Sequence, residues 1–251
     1  MADNAAYPPI LLRAEGVTAG YGNIIALQDA GLLVRAGDWV GLLGANGSGK
    51  STFLRALTGQ IPLRAGNVEI AGVDLRRWPE RAKTGFGYAV DPAELPQGLT
   101  GRQYLELVAS IRHCGKHDWP HPDLLSLLRL GDWIDQPIAA CSLGTRGKIS
   151  LAGALLGAPP LIILDEALNG LDPIISIRIR RLLAGLVASH RHAVILSTHM
   201  LEQIGGVCTN VVFLDAGAIT RIWTQDELRV ACAAPGGFEA ALLETFDRTD
   251  R

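Results

Sequence analysis

Several features are scarce in these 251 residues, and each scarcity excludes something. Lys and Arg number 23 against 25 Asp and Glu, a formal charge of −2. No global basic field is present to hold nucleic acid through counterion release, and no nucleic-acid partner is expected. Nowhere do 18 uncharged apolar residues run together, so the chain is not expected to span a membrane alone. Met1 to Ile10 have neither the basic start nor the apolar stretch of a secretory leader. The four cysteines, Cys114, Cys141, Cys208 and Cys232, are scattered without a Cys-x-x-Cys pair. They read as small apolar filler in a reducing compartment. There is no internal repeat and no low-complexity run.

What is present is a globular composition, 48% hydrophobic and 19% charged. A chain of this length buries a core without disulfides or a structural metal, as one domain or one domain with a substantial subdomain. Leu32 to Val34, Trp39 to Leu43, Val68 to Ala71, Leu161 to Leu164, Ala193 to Ser197 and Val211 to Leu214 read as strands. Phe53 to Thr58, Gln103 to Ile111, Ile149 to Leu156 and Ile177 to Val187 have the three- and four-residue apolar spacing of helices. Strand then helix, repeated, predicts an α/β fold with a largely parallel sheet. From Leu99 to Ala140 there are helical patterns and no good strand, with a polar break at His113 to Pro122. Residues from about 90 to 158 therefore read as a helical subdomain inserted into an α/β core. The tail from Ala233 opens on Pro235-Gly236-Gly237 and is expected to end in a short helix.

The apolar strand Trp39 to Leu43 runs into Gly44-Ala45-Asn46-Gly47-Ser48-Gly49-Lys50-Ser51-Thr52, and an apolar-periodic helix follows. This is Gly, four residues, Gly-Lys-Ser, in the strand–loop–helix setting of a phosphate-binding loop. Glycines let the backbone curl until several N–H groups point at one anion. The helix that starts near Gly49 adds its positive end. Lys50 reaches the outer phosphates as a point charge, and the Ser51 hydroxyl is placed to ligate Mg²⁺.

A second apolar run, Leu161 to Leu164, has the character of a strand covered on both faces and ends in Asp165-Glu166. The residue after such a strand lies at the carboxyl edge of the sheet, where open α/β sheets bind ligands. Asp165 is the candidate for Mg²⁺, directly or through water. Glu166 can accept a proton from water attacking a terminal phosphate. Standing alone, the pair reads equally well as an exposed acidic turn.

Taken together, the chain resembles the ATP-binding subunits of ABC transporters over roughly residues 10 to 230. Tyr21, in Tyr21-Gly22-Asn23, stands where that family stacks an aromatic ring on adenine. Cys141-Ser142-Leu143-Gly144-Thr145 stands at its Leu-Ser-Gly-Gly-Gln signature. Gly170-Leu171-Asp172 matches the loop between facing subunits, and Ser197-Thr198-His199 its switch histidine. The resemblance implies a P-loop NTPase core with an antiparallel β subdomain near the N-terminus, all within one ABC ATPase domain over 1–251. Its α/β core would be about 10–90 and 159–230, its helical subdomain about 91–158, its tail 233–251. The cofactors implied are ATP and Mg²⁺. The catalytic set implied is Glu166, His199 and Lys50, with Gly44, Asn46, Gly47, Ser48, Gly49, Ser51 and Thr52 around the phosphates.

Ser142 and Gly144 precede a predicted helix, and a hydroxyl, backbone N–H groups and a helix end make a second anion site. In the family that site binds the terminal phosphate held by a second ATP-binding subunit, the same chain or another, head to tail. Taken alone, Ser142 is a plain helix cap, and the Tyr21-Gly22 pair is a turn. The ring of His199 can donate one hydrogen bond.

Four positions depart from the family pattern. Where the family has Gln or Glu after the strand near Tyr88, this chain has Asp91, shorter by about one methylene. A carboxylate there can still reach Mg²⁺ through water, and Gln97 is the competing candidate. Leu143 and Thr145 replace a glycine and the glutamine of the signature, and Ala167 replaces a proline. Lys50, Asp165, Glu166 and His199 remain, so an active ATPase is expected.

The resemblance further implies a separate transmembrane permease, placing the chain on the cytoplasmic face of the inner membrane. The Ser142-Leu143-Gly144 variant and the absence of a long C-terminal regulatory region resemble bacterial exporters. The alternative is a soluble ABC ATPase of an assembly complex, such as the iron–sulfur cluster assembly type. A phosphate-loop kinase or GTPase leaves Ser142, Gly144 and His199 unexplained, and there is no Asn-Lys-x-Asp motif.

Overall fold

A computed structural model describes residues 8–115, 117–201, 204 and 206–249. Residues 1–7 of the stretch expected to lack a leader lie outside them, as do the last two residues of the tail.

Two sheets organise the chain. The larger joins β3 (Trp39–Leu43), β6 (Phe86–Ala89), β7 (Leu161–Asp165), β8 (Ala193–Thr198), β9 (Asn210–Asp215) and β10 (Ala218–Trp223). Its order is β10-β9-β3-β8-β7-β6. All pairs are parallel except the β9–β10 hairpin at one edge. The smaller sheet is antiparallel, with β1 (Ile10–Tyr21), β2 (Ile24–Arg35), β4 (Leu63–Ile70) and β5 (Val73–Asp74) in the order β2-β1-β4-β5. The expected α/β class, parallel core and antiparallel subdomain are all present.

The continuous apolar strands are explained by what lies on each face. Leu161, Ile163, Ala193 and Ile195 enter a core shared with the antiparallel sheet and with α1 (Lys50–Leu57). Ile162, Leu164, Val194 and Leu196 enter the opposite core, with α3 (Gly101–Arg112), α5 (Leu143–Leu155) and α6 (Pro173–Ala188). A third, smaller core fixes the end of the chain. There α7 (Gln225–Ala233) and α8 (Gly237–Thr249) pack on β9 and β10 through Leu228, Leu242 and Trp223.

Several boundaries differ from those read in the sequence. β1 was not foreseen, and only the last part of β2 was, because register shifts along their pairing and small residues blur the alternation. β5, the edge strand β10, the short α2 (Pro79–Lys83) and α7 were also missed. Helix α5 begins at Leu143 rather than Ile149, since Ser142 caps it and Gly144 and Gly147 hide its apolar period. Helix α6 begins at Pro173 rather than Ile177, because the Asp172 carboxylate accepts N–H bonds from Ile174 and Ile175.

Between β6 and β7 the described residues form α3, α4 (Leu124–Leu127) and α5, with no strand. This helical segment is tied closely to the sheet. A Cβ on Gly87 would fall 1.8 Å from the Ala154 carbonyl oxygen, so only glycine lets α5 lie directly on β6. The Ser150 hydroxyl donates to the Val90 carbonyl at 2.7 Å. At the far end of α5, Arg112 donates from Nη1 to the carbonyls of Gly153 (2.9 Å), Ala154 (3.2 Å) and Leu156 (2.7 Å). It satisfies carbonyls that a helix end leaves open. Burial lowers the pKa of its guanidinium, from a value high enough to leave it charged. Arg112→Ala is therefore expected to destabilise the fold by about 2 kcal/mol, the worth of a charge-assisted bond plus stranded carbonyls. Thermal denaturation would measure it, and an unchanged midpoint would deny Arg112 this role.

Candidate functional site

The turn after β3 is shaped by close approach. A Cβ on Gly44 would lie 2.3 Å from the Leu214 carbonyl and 2.4 Å from Ser48 Oγ. Gly49 has φ +105°, and a Cβ there would meet the Ala26 carbonyl at 2.8 Å. Both positions are closed to side chains. The loop is pinned from outside, with Gly217 N–H donating to the Ser48 carbonyl at 2.9 Å. No side chain caps the start of α1, so its first N–H groups have no side-chain acceptor. The buried Ser48 hydroxyl has no hydrogen-bond partner either. A cradle of N–H groups and an unpaired hydroxyl fits a phosphate group. The Lys50 ammonium, also buried, donates to the carbonyls of Gly44 (2.8 Å) and Ala45 (3.0 Å). It lies folded across the loop it would serve.

Two strands away, β7 delivers Asp165 and Glu166. Asp165 pairs in register with Ser197 of β8. The Ser197 hydroxyl donates to Asp165 Oδ1 at 2.5 Å, and the Tyr88 hydroxyl lies 3.5 Å from Oδ2. Burial, reinforced by the Asp165 charge, pushes the Tyr88 phenol further above its ordinary pKa, so it stays a donor. Glu166 sits at φ +49°, a conformation a Glu rarely adopts. Such strain collects at functional sites. The Glu166 N–H donates to Ser197 Oγ at 3.0 Å. Asn169 Nδ2 donates to Glu166 Oε2 at 3.1 Å, and His199 Nδ1 lies 3.4 Å from Oε1. His199 and Glu166, far apart in the chain, thus meet at the sheet edge.

A cleft of about 570 Å³ brings these parts together, lined by Ser51, Asp91, Asp165 and Glu166 and also by Gly144 and Gly170. Asp91 accepts from the Ala93 N–H at 2.8 Å, which orients its carboxylate. Gln97 does not line the cleft and turns to the Leu95 carbonyl. Between the two candidates, Asp91 holds the place at the cleft. The hydroxyl of Ser51 and the carboxylates of Asp91 and Asp165 form a hard oxygen donor set that fits Mg²⁺.

Ser142 does not line the cleft. It caps α5, accepting from Thr145 N–H at 3.1 Å. Tyr21 stands at the end of β1, 45% exposed. Its hydroxyl accepts from Arg55 Nη1 at 3.4 Å, while Arg55 Nη2 donates to Glu94 at 2.6 Å. Arg55 also lines the cleft. Sequence reading missed both Arg55 and Ser197. Arg55, five residues after Lys50 on α1, carried a faint positional signal; Ser197 carried none beyond its place before His199. A larger cavity of about 770 Å³ lies between β10, α7 and α8 and contains none of these groups.

The family model described as "ABC transporter" matches residues 27–169. Over 220 residues the chain is 32% identical to the daunorubicin resistance ATP-binding protein DrrA2 of Streptomyces coeruleorubidus, covering 87% of this chain and 68% of that one. It superimposes with a TM-score of 0.84 on a solved ATP binding subunit of an ABC transporter, at 29% identity over 94% of this chain and 99% of the other. The ATP-binding cassette MJ0796, in a dimeric post-hydrolysis state bound to ADP and Pi, shares the fold at 21% identity, with a TM-score of 0.75 over 86% and 99% of the two chains.

Proposed function

The chain belongs to the ABC transporter family, and from that premise we propose that it hydrolyses ATP to drive export of a substrate through a separate transmembrane subunit. The observation that carries this is the single cleft joining Ser51 beside the glycine loop to Asp91, Asp165 and Glu166. Among the described residues no helix is long and apolar enough to cross a membrane, and in this reading a separate transmembrane subunit supplies the conduit. That partner would hold the chain on the cytoplasmic face of the inner membrane.

In this reading the chain is one ATPase unit whose helical part, about 91–158, carries Ser142 and Gly144 to a second ATP-binding chain. The loop Gly44, Asn46, Gly47, Ser48, Gly49 and the start of α1, Lys50 to Thr52, hold the phosphates. Lys50 exchanges its two carbonyl acceptors for outer phosphate oxygens. Tyr21 offers its ring face to adenine. Mg²⁺, held by Ser51, Asp165 and Asp91, would supply neutralisation of phosphate charge.

Glu166 is the general base. A water oxygen forms a bond to the terminal phosphorus as the bond to the bridging oxygen breaks. The water proton passes to the Glu166 carboxylate, and ADP and phosphate leave. Asn169 and His199 flank that carboxylate and orient it. Two ATP molecules sandwiched between two chains favour the closed pair, and hydrolysis removes the phosphates that bridge it.

Affinity purification of tagged Glu166→Gln protein from native membranes, with ATP and Mg²⁺, tests the assignment to transport. A polytopic membrane protein in stable proportion is the expected companion. Soluble partners alone would overturn that assignment in favour of an ATPase of an assembly complex, leaving the nucleotide chemistry intact.

A further inference from the structure

The Ser197 side chain is fully buried in β8. Its hydroxyl cannot turn to water, so its proton and lone pairs must be used inside the protein. They are used on two neighbouring residues of the site. The proton goes to Asp165 Oδ1 at 2.5 Å, a short charge-assisted bond. A lone pair accepts the Glu166 N–H at 3.0 Å, and the Ser197 carbonyl lies 3.2 Å from the same nitrogen. One hydroxyl is thus bonded to the side chain of Asp165 and to the backbone of Glu166, where that backbone takes its left-handed turn.

We propose that Ser197 is a positioning residue that locks the Asp165 carboxylate for Mg²⁺ and, through the same hydroxyl, fixes the turn that aims Glu166. This rests on the reading of Asp165 as a metal ligand. Oδ1 is held closely by Ser197, whereas Oδ2 has only the long 3.5 Å contact with the Tyr88 hydroxyl, which leaves Oδ2 the more available oxygen for a cation. A hydroxyl that donates to a carboxylate is polarised into a better acceptor, so its bonds to Asp165 and to the Glu166 N–H strengthen each other. Removal of the hydroxyl frees Asp165 to rotate and leaves the Glu166 N–H with the longer carbonyl contact alone. The phosphate loop has no hydrogen bond to Ser197, so nucleotide binding without metal is independent of it.

The test is binding of AMP-PNP, which is not hydrolysed, with and without Mg²⁺, alongside steady-state ATP hydrolysis. In Ser197→Ala the gain in AMP-PNP affinity on adding Mg²⁺ is expected to shrink about 10-fold and kcat to fall about 10- to 100-fold, as for other groups that orient a metal ligand. Metal-free affinity stays constant. Ser197→Thr, which keeps the hydroxyl, is expected to restore most of both. A full Mg²⁺ gain and normal kcat in Ser197→Ala would overturn the proposal. So would equal losses in both variants, which would mark a packing effect. Absence of any Mg²⁺ gain in the unsubstituted protein would instead overturn the metal reading, and the proposal with it.

Discussion

Glu166→Gln is expected to hydrolyse ATP about 100- to 10,000-fold more slowly than the parent protein while binding it as tightly, if Glu166 is the general base. The amide keeps the shape of the carboxylate, and its carbonyl can still accept from Asn169, which now donates to Oε2 at 3.1 Å. What it loses is the ability to take a proton from the attacking water. The turn at Glu166 is held by its own N–H on Ser197 and by its carbonyl, which accepts from Asn169 N–H at 2.9 Å. Neither bond involves the substituted atoms, so the backbone should survive. Phosphate release under saturating ATP and Mg²⁺ measures the effect, and near-normal turnover would remove Glu166 from the role.

Lys50→Ala is expected to act one step earlier and weaken ATP binding by about 10- to 100-fold, the worth of a charge-assisted bond to phosphate in a partly desolvated site. In the structure the ammonium rests on the carbonyls of Gly44 and Ala45. Those acceptors lie within the loop, so the charge is already at the cradle before nucleotide arrives. Titration with a fluorescent ATP analogue would read the loss. Unchanged affinity would argue against Gly44 to Ser51 as the phosphate site. The two substitutions thus separate binding from chemistry.

The two halves of this site were legible to different degrees, for physical reasons. The phosphate loop could be read directly because its determinants are local: glycines at Gly44 and Gly49 where the structure leaves no room for a Cβ, then Lys50 and Ser51 at the head of a helix. β7 and β8 were readable because burial on both faces leaves unbroken apolar runs. β1 was not, since its pairing with β2 shifts register repeatedly and its residues include Gly16, Ala19 and Gly20. β10 is an edge strand with alternating exposure weakened by Thr220 and Arg221. Helix α5 carries few apolar residues in its first two turns, and only the cap at Ser142 marked where it begins. Partnerships such as Arg55 with Tyr21 and Glu94, or Ser197 with Asp165, join residues brought together only by the fold. No local pattern records them. The substitution of Asp91 for a longer side chain was visible, but its place at the cleft, and the turning away of Gln97, required the structure.

If the second ATP-binding subunit is a copy of this chain, ATP closes two copies on each other. Sedimentation of the purified Glu166→Gln protein, with and without ATP and Mg²⁺, measures this without reference to any membrane partner. A particle of twice the 26.7 kDa chain mass with ATP, and of one chain mass without it, is the predicted result. A protein that binds ATP and still sediments as a single chain would contradict the sandwich of nucleotide between two copies.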